Sequence, residues 1–247
     1  MNALPPAEAE YLERTFLEGT EALRGALGVA PGAEVNAEAP GAPVAAIVQL
    51  FQLLRRIEHD AAAGEQLESA EISELGDYAF SLIDELSNRS MQRGLAEDAR
   101  VVLGLSFPLA LWVVRHGGHL RQIQTVVNAL ADLANGIREP ELLDELATRM
   151  GDIVSGVDAA IVEDAERPDP MRPWRILLLN YSIVATRSHV PERMEAAYHT
   201  LVSHLPEEAP GFFRQGMQQM DAIGYPPQVR AVVKRWFDMW GSGATRH

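Results

Sequence analysis

Four residues on one short stretch, His189, Glu192, Glu195 and His199, are of the types that hold divalent metals. On a helix turning about 100° per residue, Glu192, Glu195 and His199 fall within about 60° of one another, as ligands from a single element must. Dinuclear carboxylate sites draw Glu-x-x-His pairs from two helices, and this chain contains no Glu-x-x-His. Met194, Ala197, Tyr198, Leu201 and Leu205 make the opposite, apolar face, so the Glu/His face is expected to point away from the core. The acidic pair also suits the positive end of a helix that begins at Pro191. No metal is expected, and Glu192, Glu195 and His199 are the residues that would hold one.

Two other groupings suggest acid–base chemistry. In His116-Gly-Gly-His119 the glycines are expected to end a helix, with a histidine at the negative pole of its dipole. Glu58, His59 and Asp60 are successive, and successive helical positions point in different directions. The chain has no phosphate loop, dinucleotide fingerprint or Gly-x-Ser-x-Gly elbow. No catalytic residue and no cofactor is expected.

The residues best suited to binding lie at the C-terminal end. VRAVVKRWFDMW sets Arg230, Lys234 and Arg235 beside Trp236, Phe237 and Trp240, residue types common in protein interfaces. Arg187 and Arg193, with His189, would extend the same positive region if neighbouring hairpins present them together. Val229, Val233, Trp236, Phe237 and Trp240 also suit a helix that caps the last hairpin.

Every periodic segment repeats near 3.6 and none alternates with period 2, so the expected fold is all-α. Antiparallel helical hairpins should pack as a multi-helix array or short αα-superhelix around a central apolar helix, nine to eleven helices in all. That helix contains VVLGLSFPLALWVV, Val101 to Val114, a run without charge and too short to cross a bilayer, which takes about 20 apolar residues. Pro108 predicts a kink or split near Gly104 to Phe107. Breakers divide the chain into a tethered N-terminal helix at 1–27, a flexible linker at 28–43, an acidic helical core at 44–166, a Pro-rich boundary at 167–173, C-terminal hairpins at 174–240 and a tail at 241–247. Short turns make the C-terminal hairpins antiparallel.

The 247 residues carry a formal charge of −14, which disfavours nucleic acid and anionic membranes as partners. The charge is unevenly spread. Acidic against basic residues number 18 to 7 over 1–100, 11 to 5 over 101–170, and 6 to 9 over 171–247. There are no cysteines, hence no disulfide and no thiolate metal site in this chain. The opening MNALPPAEAEYLERTF lacks the basic and apolar regions of a secretory signal, and a cytoplasmic location is expected.

One hairpin resembles the tetratricopeptide repeat: Tyr181, Val184, Ala185, Ala197 and Leu201 supply large, apolar, small, small and large residues at that family's spacing. Ser188, His204 and Pro210 depart from the pattern, and the next 34 residues do not repeat it. The resemblance implies an αα-superhelix that binds other proteins. The expected function is a noncatalytic interaction module, an adaptor, scaffold or assembly factor, whose partner is a protein with an acidic surface or a second copy of the chain. The rival is an α-helical enzyme or carrier with a metal or small ligand between its helices.

Overall fold

A computed structural model describes residues 3–29, 39–64, 67–163, 169 and 171–241. Of the predicted linker at 28–43, boundary at 167–173 and tail at 241–247, residues 30–38, 167, 168, 170 and 242–247 lie outside them. The described residues form thirteen helices and no strand. None of these helices is long and apolar enough to cross a membrane. The chain divides into two compact units: Pro5–Leu130 with Gly156–Asp158, and Met1–Leu4 with Ala131–Ser155 and Ala159–His247.

The first unit holds α1 (Ala9–Gly19), α2 (Glu21–Ala26), α3 (Ala42–Ala62), α4 (Ser69–Gln92), α5 (Ala96–Gly104), α6 (Ser106–Arg115) and the start of α7 (Gln124–Gly136). The apolar run is its hub: Leu109, Ala110, Leu111, Trp112 and Val113 are all fully buried, and α6 packs on α1, α4 and α5. The predicted split is present at Leu105. Pro108 has no N–H for the Gly104 carbonyl, so the ladder breaks one turn earlier, and the Ser106 hydroxyl takes the Leu103 carbonyl at 2.6 Å.

One further break, at Thr20, and one late start, at α7, depart from the expected helices, and both have long-range causes. The first helix divides at Thr20, whose hydroxyl donates to the Phe16 carbonyl at 2.5 Å. Asp98 then accepts the Leu23 N–H at 2.8 Å and caps the new helix start. The predicted helix from His119 starts only at Gln124, because Leu120 pairs with the backbone beside Val157. The Leu120 N–H reaches the Gly156 carbonyl at 2.8 Å, and the Asp158 N–H returns to the Leu120 carbonyl at 3.0 Å. The division at Thr20 and the short α9 (Ala159–Glu163) bring the count among the described residues to thirteen.

The N-terminal helix docks on the body of its own unit. Leu12 and Phe16 are fully buried, and Phe16 meets Phe51 of α3 edge to face with centroids 6.1 Å apart. Glu58 fixes the start of α1 by accepting the Ala9 N–H at 2.8 Å, and the same oxygen accepts the Trp112 indole N–H at 2.8 Å.

The second unit contains α8 (Pro140–Ser155), α9, α10 (Pro173–Arg187), α11 (Pro191–His204), α12 (Ala209–Ile223) and α13 (Pro227–Trp240). Prolines open α10, α11 and α13, where a missing N–H costs no hydrogen bond. Helices α10 and α11 form one hairpin and α12 and α13 another, with α11 against α13, while α8 packs on α10 and α11. Gly224 ends α12 in the left-handed region at φ 72°, which costs an L side chain about 1–2 kcal/mol and glycine little.

An ion pair ties the start of α10 to the turn before α12. The Arg175 guanidinium grips Glu208 in two places, Nε to Oε1 at 2.5 Å and Nη2 to Oε2 at 2.9 Å. These bonds hold the Glu208 carboxyl below its ordinary value of 4.5. A carboxylate depressed in the folded state contributes stability above its unfolded pKa and loses it as pH falls through the folded one. Arg175→Met is therefore expected to cost about 0.5–1 kcal/mol at neutral pH, a figure reduced by the partial exposure of both groups, and progressively less as pH falls below the ordinary carboxylate range. Urea unfolding across an acid pH series reads the decline.

Candidate functional site

The residues that would hold a metal do not gather. Glu192 and His199 are exposed on α11, and Glu195 between them is engaged elsewhere. Its carboxylate accepts the Trp236 indole N–H at 2.9 Å through Oε2 and pairs with Arg235 through Oε1. The His199 ring stands edge-on to Trp236 with centroids 4.8 Å apart. Among the described residues no three His, Asp or Glu side chains are placed to share a metal ion.

The other sequence groupings resolve in the same way. His116 stacks on Trp112 at 4.1 Å, and its Nδ1 lies 2.8 Å from the Trp112 carbonyl at the end of α6. Glu58 turns inward to its two N–H donors, while His59 and Asp60 sit exposed on α3.

The basic residues of α13 are paired within the chain. Arg230 binds Asp221 of α12, Lys234 binds Asp238 one turn on at 2.5 Å, and Arg235 binds Glu195 of α11. Arg193 binds Asp144 of α8 at 2.9 Å. Trp236 is 3% exposed, stacked on Phe213 at 5.6 Å, and Trp240 is half-buried.

Arg187 differs from all of these. Its Nη1 donates to the Ala134 carbonyl at 2.9 Å and its Nη2 to the Ile137 carbonyl at 2.6 Å. Both acceptors are neutral, so the charge of this half-buried guanidinium meets no carboxylate among the described residues. Arg187→Ala leaves two carbonyls of buried residues without their donor and is expected to destabilise the second unit by about 2–3 kcal/mol. Arg187→Lys, which cannot fork to both, should lose part of that in the same thermal unfolding assay.

Arg187 stands where two hollows of the second unit meet. The larger-walled one is a groove of about 130 Å³ flanked by α10 and α12, with Tyr198 of α11 and Val233 of α13 beneath. From α12 it takes Phe212, Gln215, Gly216, Gln219 and Met220, a stripe at helical spacing. From α10 it takes Ile183, Thr186 and Arg187. Ile183 is 46% exposed at the rim, an apolar side chain left in water. The floor is fixed by the Tyr198 hydroxyl, 2.6 Å from the Thr186 hydroxyl, and burial pushes the Tyr198 phenol far above its ordinary range.

The second hollow, about 240 Å³, shares Arg187 and Tyr225 with the first and adds Arg138, His189 and Ile223. His189 sits in the left-handed region at φ 62°, with its ring edge-on to Tyr225 at 5.4 Å. Neither hollow has an Asp or Glu in its lining, in a chain whose formal charge is −14. The nearest sequence neighbour that could cancel the charge, Glu139, turns its carboxylate onto its own backbone N–H and that of Arg138, the latter at 3.1 Å, which lower its pKa.

The chain matches no family model, no curated protein and no solved structure. Of the groove residues, the sequence marks Arg187 alone as a binding candidate, and Tyr198 and Val233 only as apolar packing positions. Ile183, Gln215, Gln219 and Tyr225 carry no motif, though the exposed apolar position at Ile183, opposite the buried Val184 and Ala185, was a signal available in the helical period.

Proposed function

We propose that this chain is a noncatalytic protein-interaction module, a cytoplasmic adaptor, scaffold or assembly factor that holds an acidic segment of its partner in the groove between α10 and α12. The observation that carries the reading is Arg187: a half-buried cation bound only to neutral carbonyls, at the junction of two hollows without a lining carboxylate. Burying a charge away from water is costly unless an opposite charge arrives, and an acidic partner supplies one. The apolar Ile183, Phe212, Met220 and Tyr225 supply contact area beside it.

The groove is a better candidate than the outer face of α13, because Arg230, Lys234 and Arg235 already hold carboxylates of this chain. A new acidic partner would have to displace Asp221, Asp238 and Glu195, which removes most of the electrostatic gain. The test is cross-linked capture from the native host with wild-type protein, Ile183→Glu, and the triple reversal Arg230→Glu, Lys234→Glu, Arg235→Glu. Ile183 is exposed at the rim, so its replacement should leave the fold intact while placing a carboxylate at the groove mouth. A partner lost with Ile183→Glu and kept by the triple reversal supports the groove. The opposite pattern moves the site to α13.

A further inference from the structure

The groove's own spacing indicates the conformation of what it holds. We infer that its occupant is a short extended segment of an acidic partner, gripped along its backbone by the amides of Gln215 and Gln219 and anchored by a carboxylate at the Arg187 end. The inference rests on the interaction reading above and adds the form of the ligand to it.

Gln215 and Gln219 line the groove one turn apart on α12, about 6 Å along the axis. An extended backbone presents groups to the same side every second residue, about 6.6 Å apart, so two amides at this spacing meet successive peptide groups of one edge. A primary amide both donates and accepts, as an extended edge with its unpaired N–H and C=O requires. Both glutamines are exposed, and neither side chain makes a hydrogen bond among the described residues. A helical ligand hydrogen-bonds its backbone internally and offers these amides nothing but side chains.

Length and charge agree. From Phe212 to Ile223 the α12 stripe runs about 16 Å, the span of roughly five extended residues. At the Ile223 end stand Arg187 and Arg138, with His189 edge-on to Tyr225. The segment therefore carries alternate apolar residues toward Tyr198 and Val233 and an Asp, Glu or terminal carboxylate at that end. At Gly216, between the two glutamines, the one neighbour within 4 Å of where a Cβ would stand is Val233 Cγ1, at 3.4 Å.

The test uses the full-length chain and a displayed library of random twelve-residue peptides, selected on wild type and counter-selected on Ile183→Glu. Enriched sequences should be acidic, with apolar residues at every second position. They should bind Gln215→Ala/Gln219→Ala about tenfold more weakly in fluorescence anisotropy, while the variant's unfolding temperature stays unchanged. Acidic sequences with apolar residues at helical spacing, or full affinity in the double variant, would overturn the extended clamp and leave the interaction reading standing. Basic sequences, or no enrichment that depends on Ile183, would overturn both.

Discussion

Trp236→Ala is expected to lower the stability of the second unit by about 3–5 kcal/mol, the largest single effect in the groove's supporting wall. Trp236 is 3% exposed and carries contacts to two other helices, α11 and α12. It stacks on Phe213 at 5.6 Å, meets Tyr198 edge to face at 5.8 Å and His199 at 4.8 Å, and donates its indole N–H to Glu195 at 2.9 Å. Truncation opens a cavity among rings already held by their own neighbours, so collapse can recover little of the lost contact. Trp236→Phe keeps a ring against Phe213 and removes only the hydrogen bond and part of the volume. Its cost should be about 1–2 kcal/mol. Urea unfolding midpoints of the two variants separate the packing from the polar contribution, and equal losses would show that the ring itself matters little.

Gly216→Met should abolish occupancy of the groove, with a loss of more than tenfold in affinity for a selected peptide, while the fold survives. Gly216 lies inside α12 with an ordinary helical backbone, so no turn demands a glycine there. A Cβ added to it would touch Val233 Cγ1 at 3.4 Å, ordinary van der Waals contact. Glycine in a helix interior costs about 0.5–1 kcal/mol relative to alanine. Gly216→Ala is therefore expected to raise the unfolding temperature and to weaken binding a little, and Gly216→Met to fill the space a ligand side chain would take. A stability gain joined to a binding loss is the signature of a residue kept for the opening it leaves. Unchanged affinity in Gly216→Met would remove the groove from the account.

How far the sequence reached depended on whether the cause of a feature was local. The starts of α10, α11 and α13 follow their own prolines, and the split at Leu105 follows Pro108 three residues on, so each could be read from its neighbours. The break at Thr20 could not, because the group that caps the next helix is Asp98. Nor could the late start of α7, which follows from Leu120 pairing beside Val157. The same division runs through the site. Lys234 and Asp238 are one helical turn apart and their pairing is written in the sequence, whereas Arg235 finds Glu195 on a different helix and Arg187 finds the carbonyls at the end of α7. Counting charges along α13 therefore overstates the positive surface there. Phe212, Gly216 and Met220 read as a buried stripe like any other, and only the placement of α10 across from α12 makes it the wall of a groove.

The most direct measurement is a backbone amide chemical-shift titration of the full chain with an acidic peptide selected as above. Occupancy of the groove predicts that the perturbed amides include Ile183, Thr186, Gln215, Gly216 and Gln219, with saturation at one peptide per chain and loss of the shifts in Gly216→Met. Shifts confined to the outer face of α13, at Arg230, Lys234 and Trp240, with the α10 and α12 amides unmoved, would contradict it.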